Sequence, residues 1–90
     1  MKTIRENLNL LGFKGVDKVT GMKGVVTSVS FDLYGCVQLL LNPAVDLNNN
    51  KLANPYWFDE DRIRITGRKP VMTQPKFAMT KGPADKPVHI

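Results

Sequence analysis

The sequence predicts a mainly β protein, built as a small, strongly bent antiparallel barrel with a short N-terminal helix and an extended C-terminal arm. Residues 25–33 alternate in sequence, which is the pattern of a half-buried strand. Tyr34-Gly35 interrupts the alternation, and a second apolar run follows over residues 36–41. A chain of 90 residues holds one domain with a single core.

Residues 25–41 are interpreted as a β-hairpin. The alternation assigns these side chains to the core: Val25, Thr27, Val29, Phe31 and Leu33. Gly35 supplies the positive φ that a hairpin turn needs. The third strand, residues 36–41, is apolar except for Gln38, which predicts burial on both faces. The lone Cys36 excludes an internal disulfide, and we expect it to be a small buried hydrophobe in a reducing compartment.

The N-terminal segment predicts a helix of about two turns. Thr3 and Glu6 have the spacing of a capping box. Apolar residues recur on one helical face: Ile4, Leu8 and Leu11. Gly12 can end the segment in a left-handed conformation. Because helix nucleation is costly, so short a helix must dock on the sheet or on a neighbouring subunit.

A short strand over residues 18–20 and a glycine-bounded turn over residues 21–24 are expected before the long strand. Small barrels of the Src-homology-three type often begin in this order. A phosphate-binding glycine loop is the alternative interpretation of the turn. It would need a helix directly after the loop, whereas a β-branched strand follows.

The second half of the barrel is predicted from residues 42–65. Proline after Asn42 ends the third strand, and residues 46–55 form a polar loop. Extended structure resumes at residues 57–59 and 62–65, with a bend between them. Ile63 and Ile65 are expected to face inward.

Arg62 and Arg64 are expected to face outward together. They either pair with the nearby acids of residues 59–61 or bind phosphate through their planar guanidinium groups. Trp57 is expected to pack in the core or at the rim of the barrel, with base stacking as the alternative.

The positive charge is concentrated at the C-terminal end of the chain. Residues 1–61 carry six Lys or Arg against seven Asp or Glu, a net charge of −1, and residues 62–90 carry seven against one, +6. We divide the chain into a barrel domain with its helix, residues 1–69, and a basic, proline-rich arm, residues 70–90. Val71 or Met72 and Phe77 would anchor the arm on the barrel or on a neighbouring subunit. A solvated basic tail is the alternative.

The sequence indicates a binding protein and not an enzyme. Cys36 and His89 are the only candidates for a thiol–imidazole pair, and one of each cannot make a Cys–His metal set. The acidic run 59–61 lacks a glycine-bounded calcium loop. No apolar run approaches the ~20 residues of a membrane span, and no signal peptide is recognisable. We therefore expect no catalytic residue, metal, cofactor or membrane contact, and a cytoplasmic location.

Four blocks resemble one family of small phage proteins: Asp17-Lys-Val-Thr-Gly21 with Gly24-Val-Val-Thr27, Phe31-Asp-Leu-Tyr-Gly-Cys-Val-Gln38, Trp57-Phe-Asp59 with Arg62-Ile63, and Gly82-Pro-Ala-Asp-Lys-Pro87. The chain is similar to the first type of anti-Thoeris protein. The resemblance implies a sponge that sequesters cyclic ADP-ribose signals in the host cytoplasm without cleaving them. Some members of that family also hold cyclic trinucleotides. It further implies a homo-oligomer, from dimer to hexamer, with ligand sites between subunits.

A site that binds a cyclic ADP-ribose signal needs guanidinium groups for the pyrophosphate and a flat group that stacks on the adenine. The predicted ligand-binding residues are Arg62, Arg64, Arg68, Phe77, Lys81, Lys86, Trp57 and Tyr34. One alternative function is a nucleic-acid-binding barrel that uses the basic arm on phosphates and aromatic side chains for stacking. The other is a structural or host-interaction phage protein whose arm is an oligomerisation strap.

Overall fold

The computed structural model describes residues 2–44 and 53–77. Its elements are α1 (Ile4–Leu8), β1 (Lys14–Asp17), β2 (Lys23–Phe31), β3 (Val37–Asn42), β4 (Tyr56–Asp59), a 3-10 turn (Glu60–Arg62) and β5 (Ile63–Ile65). The strands form one antiparallel sheet in the order β4-β3-β2-β1-β5. The prediction of a mainly β fold with a short N-terminal helix is confirmed. In the described part of the chain the sheet is open, with β4 and β5 at its edges.

The predicted β-hairpin is confirmed as β2 and β3. Its turn is held by the Asp32 side chain, whose Oδ1 accepts hydrogen bonds from the backbone amides of Tyr34 and Cys36, both at 2.9 Å. Asp stabilises turns in this way because its short side chain reaches the amides that follow. Gly35 has a φ of +85°, the conformation for which glycine is suited.

The core face of β2 differs from the predicted one because the strand contains a bulge. Val26 pairs with Leu41 and Ser28 with Leu40, so Thr27 is an extra residue on β2. A bulge shifts the alternation by one position. Val26 is therefore fully buried and Val29 packs against the core, whereas Thr27 is exposed.

The assignment of Val25, Thr27, Phe31 and Leu33 to the core is therefore wrong. Val25 lies half-buried on the opposite face of the sheet from Val26, and the other three are exposed. Leu33 stands at the hairpin turn with 92% of its surface exposed. The bulge accounts for Val25 and Thr27. Phe31 shares the face of Val29 but is the last residue of β2, beyond the core, and Leu33 lies past the end of the strand.

The core lies on one face of the sheet, and β3 supplies two of its fully buried side chains, Leu39 and Leu41. Its buried members are Val26, Leu39, Leu41, Phe58 and Ile63, with Leu10, Leu11, Met22, Val29 and Ile65 packed around them. Full burial of an aliphatic side chain is worth about 1.5–3 kcal/mol. The inward direction predicted for Ile63 and Ile65 is confirmed. Trp57 is 46% exposed and does not belong to this core.

The first strand lies earlier than predicted. β1 is Lys14–Asp17, and residues 18–20 form a turn in which the Gly21 amide donates to the Asp17 carbonyl at 2.8 Å. The Asp17 side chain stabilises this turn, since it also accepts hydrogen bonds from the amide and the hydroxyl of Thr20. Such local side-chain bonds compete with strand pairing and override the β propensity of residues 18–20.

Two glycines lie directly opposite each other in β1 and β2, at Gly15 and Gly24. A Cβ on Gly15 would lie 2.8 Å from Cγ2 of Ile63, and one on Gly24 would lie 2.6 Å from the Asn42 carbonyl oxygen. The glycines therefore permit close approach of β5 and β3. A glycine inside a strand weakens the sequence signal for that strand, so β1 was missed.

The N-terminal helix has the predicted capping box. The Glu6 amide donates to Thr3 Oγ1 at 3.1 Å, and the Thr3 amide donates to Glu6 Oε1 at 2.7 Å. The helix is shorter than predicted, at five residues, and Ile4 is 60% exposed. Docking therefore falls to the residues after the helix, Leu10 and Leu11.

The last two strands occur as predicted, but Arg62 pairs with a different acid. Its Nε donates to Asp17 Oδ1 at 2.8 Å, and its Nη2 donates to Asp17 Oδ2 at 2.6 Å. The expected pairing with the acids at residues 59–61 is wrong for Arg62. The guanidinium also lies 5.1 Å from the centre of the Phe58 ring. This bidentate pair joins the end of β1 to the start of β5.

We expect Asp17→Asn to lower the melting temperature by more than about 10 °C, because the variant leaves the guanidinium without its buried counter-charge. Thermal unfolding followed by circular dichroism measures the change. Asp61→Asn removes an exposed carboxylate from the same region and is the matched control. A melting temperature for Asp17→Asn within about 2 °C of the wild-type value would contradict the structural role of the pair.

Lowering the pH should remove the stabilisation that the Asp17–Arg62 pair provides. Hydrogen bonds from Arg62, and then from Thr20, hold the pKa of the Asp17 carboxyl well below its usual range. Since the pKa is lower in the folded state, the stabilisation is complete above the unfolded value of about 3.9 and declines as the pH falls below it.

The urea midpoint measured from about pH 7 to about pH 3 checks this dependence. Glu6→Gln is a control, because its cap hydrogen bond to the Thr3 amide also lowers the pKa of Glu6. The acid-dependent loss should persist in Glu6→Gln and shrink in Asp17→Asn. If the urea midpoint fell equally steeply with pH in the wild type and in Asp17→Asn, another group would be responsible for the acid-dependent loss.

Candidate ligand-binding clefts

The predicted ligand-binding residues do not form one cluster. Arg62 is engaged with Asp17. Tyr34 stands at the β2–β3 turn with 87% of its surface exposed, and Trp57 lies on the edge strand β4. The others lie farther along the chain: Arg64 on β5, Arg68 exposed after it, and Phe77 at the end of the described arm. Lys81 and Lys86 lie outside the described residues.

The described part of the arm, residues 70–77, packs beside the end of α1 through polar contacts. The Val71 amide donates to the Gly12 carbonyl at 2.7 Å. The Gln74 side chain donates to the Asn9 and Leu11 carbonyls at 2.7 and 2.6 Å. These carbonyls follow the last turn of the helix, where backbone acceptors lack intrahelical partners.

The apolar anchors predicted for the arm are largely exposed. Val71, Met72 and Phe77 retain 50%, 64% and 52% of their accessible surface. Hydrogen bonds from the Gln74 side chain hold the arm instead. Their carbonyl acceptors are more than 60 positions away in the sequence, so the sequence alone does not predict these contacts. Phe77 is consequently available to contact another molecule.

An open cleft of about 300 Å³ lies between the arm and α1. We call it the arm cleft; its lining residues are Arg5, Leu8, Asn9, Gln74, Pro75, Lys76 and Phe77. Its volume is at the lower limit of ligand pockets, about 300–1,000 Å³. The arm cleft brings the predicted site residue Phe77 next to two cations that sequence analysis did not select, Arg5 and Lys76.

The arm cleft combines three kinds of group that bind nucleotides. The Phe77 ring offers a plane on which a base can stack. Arg5 presents a planar fork for phosphate oxygens, and Lys76 a mobile point charge. Within the described residues neither cation takes part in an ion pair. Arg5 and Asn9 share a helical face because they are four residues apart, a signal that sequence analysis could have used.

A second cleft lies on the face of the sheet opposite the core. We call it the outer groove; its volume is about 510 Å³ and its lining residues are Lys14, Gly15, Val16, Lys23, Gly24, Val25, Asn42, Pro43, Ala44, Arg64 and Thr66. The predicted site residue Arg64 lines this groove together with Lys14 and Lys23. Both lysines were missed because the sequence interpretation placed them outside strands.

Cys36 is exposed, so its predicted burial is wrong. It lies just beyond the hairpin turn, before β3 begins at Val37. The negative charge of Asp32, with a smaller contribution from desolvation, raises the pKa of the thiol. A raised pKa favours the thiol over the nucleophilic thiolate.

No protein-family model, curated protein or solved structure matches the chain. Across residues 2–44 and 53–77, no helix has the length and apolar character needed to cross a membrane. The same residues contain no group of three or more His, Cys, Asp or Glu side chains that could hold a metal ion. The described residues form a small, mainly β fold, and both the arm cleft and the outer groove are open and lined by cations.

Proposed function

We propose that this protein binds a cyclic nucleotide immune signal and sequesters it without cleaving it, as a phage anti-defence sponge in the host cytoplasm. The ligand class would be cyclic ADP-ribose isomers, with cyclic oligonucleotides as further ligands. The resemblance to the first type of anti-Thoeris protein over most of residues 17–87 suggests this class. The chemistry of the arm cleft supports it independently.

The observation that carries the proposal is the position of Phe77 beside Arg5 and Lys76 in one cleft. A cyclic ADP-ribose isomer would stack its adenine on the half-exposed ring and direct its phosphates to the two cations. The Asn9 side chain would hydrogen-bond the ribose hydroxyls. Such a site needs no nucleophile or general base, since sequestration leaves every covalent bond intact.

We further propose that the sheet is a small bent barrel of the Src-homology-three type. Pairing of the first and last strands, the bulge in the long strand β2 and the 3-10 turn before β5 all support this architecture. A bulge bends and twists its strand, which lets one long strand serve both halves of a barrel.

The protein would act as a homo-oligomer. Ligand pockets usually bury about 70–90% of a small ligand, whereas the arm cleft of one chain is open. A second copy placed over the arm cleft would supply the missing wall and exclude water from the phosphates. The basic residues of the arm beyond Phe77, among them Lys81 and Lys86, are candidates for further phosphate contacts.

The test is to incubate the purified protein with cyclic ADP-ribose isomers or cyclic trinucleotides, remove free ligand, heat the protein and identify what is released by mass spectrometry. We expect intact ligand to be recovered and the melting temperature to rise with ligand concentration. Phe77→Ala should weaken binding by about tenfold or more, because it removes the stacking plane. Tyr34→Ala, which removes an exposed aromatic ring at the hairpin turn, is the matched control.

Absence of a thermal shift with every ligand, or release of a hydrolysed product, would refute sequestration. Equal losses in Phe77→Ala and Tyr34→Ala would move the site away from the arm cleft.

Nucleic-acid binding is the second candidate function, and the net charge of +6 over residues 62–90 favours it. It predicts a steep fall in oligonucleotide affinity as salt rises, because each neutralised phosphate releases counterions. If the arm is instead only an oligomerisation strap, deletion of residues 70–90 should abolish assembly, and the intact oligomer should bind no nucleotide.

A further inference from the structure

Strand register places three cations around one point on the outer face of the sheet. Val16 on β1 is paired with Lys23 on β2 and with Arg64 on β5. Directly paired residues point to the same face, so Lys23 and Arg64 flank Val16 from either side. Lys14 lies two residues before Val16 on β1 and therefore shares this face.

These positions form a compact triangle. Two strand spacings separate the Cα atoms of Lys23 and Arg64, which amounts to about 10 Å. Lys14 is a diagonal neighbour of each, at about 7–8 Å. Long, flexible side chains on such a triangle can converge on a single small ligand.

The triangle carries an unbalanced positive charge in the described part of the chain. None of the described residues that line the outer groove is Asp or Glu. Neither ion pair within the described residues involves Lys14, Lys23 or Arg64. Arg62, two residues before Arg64, differs in this respect because Asp17 neutralises it.

The floor of the outer groove is apolar. Val16 is only 8% exposed, Val25 is half-buried, and Pro43 lines one end. Charges that converge above an apolar floor are screened less than charges surrounded by water. Thr66, at the edge, adds a hydroxyl that can donate to an anion.

We propose that the outer groove is a binding site for a compact anion with two adjacent phosphoryl groups, the chemistry of a pyrophosphate linkage. The fork of Arg64 takes two oxygens of one phosphoryl group. Lys14 and Lys23 contact the other as point charges. One phosphate, with a charge of about −1.5 to −2, would leave part of the +3 charge uncompensated. This site is separate from the arm cleft and does not depend on the proposed function.

The outer groove favours a small anion over a nucleic acid. Single-strand binding sites combine a cationic track with aromatic side chains on which bases stack. Among residues 2–44 and 53–77, no aromatic residue lines the outer groove. Its three cations surround one point rather than following a path along the surface.

The experiment titrates the full chain with inorganic pyrophosphate, followed by isothermal calorimetry and by amide chemical shifts. We expect saturable binding with the largest shifts at Gly15, Gly24 and Arg64, and at least tenfold weaker binding of orthophosphate. Lys23→Gln and Arg64→Gln should each weaken pyrophosphate binding by about tenfold or more. Lys18→Gln is the matched control, since it removes an exposed cation from the turn after β1. Each variant should keep the wild-type melting temperature.

Three results would overturn the proposal. One is the absence of pyrophosphate binding at millimolar concentration. Another is an equal loss in Lys18→Gln and Lys23→Gln, which would indicate attraction to net charge alone. The third is a salt-sensitive oligonucleotide complex that perturbs the outer groove and is not displaced by pyrophosphate, which would assign the groove to nucleic acid. Binding of pyrophosphate without binding of any cyclic nucleotide would support this site and count against the proposed function.

Discussion

The buried carboxylate of Asp17 is the constraint on which the arrangement of the sheet depends. It is fully buried, and it accepts two hydrogen bonds from Arg62 and two from Thr20. A charge in this position is costly unless it is fully paired. The turn after β1 and the residue before β5 must therefore meet at Asp17. Formation of this contact brings β5 beside β1, at the opposite edge of the sheet from β4.

This constraint separates the roles of two neighbouring arginines. Arg62 ends the 3-10 turn and is directed to Asp17, where it serves stability. Arg64 lies on β5 opposite Val16 and is directed to the outer groove. The sequence interpretation placed both on one outward face because it treated residues 62–65 as a continuous strand. The 3-10 turn ends the strand pattern before Ile63, so alternation does not extend back to Arg62.

Features set by local chemistry could be predicted from the sequence, and features set by distant pairing could not. The capping box at Thr3 and the hairpin turn at Gly35 depend on neighbours within a few residues, and both are present. The core face of β2 depends on a bulge opposite β3, and the position of β1 depends on the fit of Gly15 against β5. The same limit applies to the clefts. Phe77 and Arg64 could be predicted as binding residues from their residue types. Only the fold shows which residues lie beside them in the clefts.

One small protein would carry two separate anion sites, one between the arm and α1 and one on the outer face of the sheet, while Arg62 serves stability through its pair with Asp17. The most informative measurement is the dissociation constant of a cyclic ADP-ribose isomer and of inorganic pyrophosphate for the wild type, Phe77→Ala and Lys23→Gln at constant ionic strength. We expect Phe77→Ala to weaken binding of the cyclic ligand by about tenfold or more and to leave pyrophosphate binding unchanged, and Lys23→Gln to weaken pyrophosphate binding more than binding of the cyclic ligand. Equal losses of both ligands in both variants would show a single shared site.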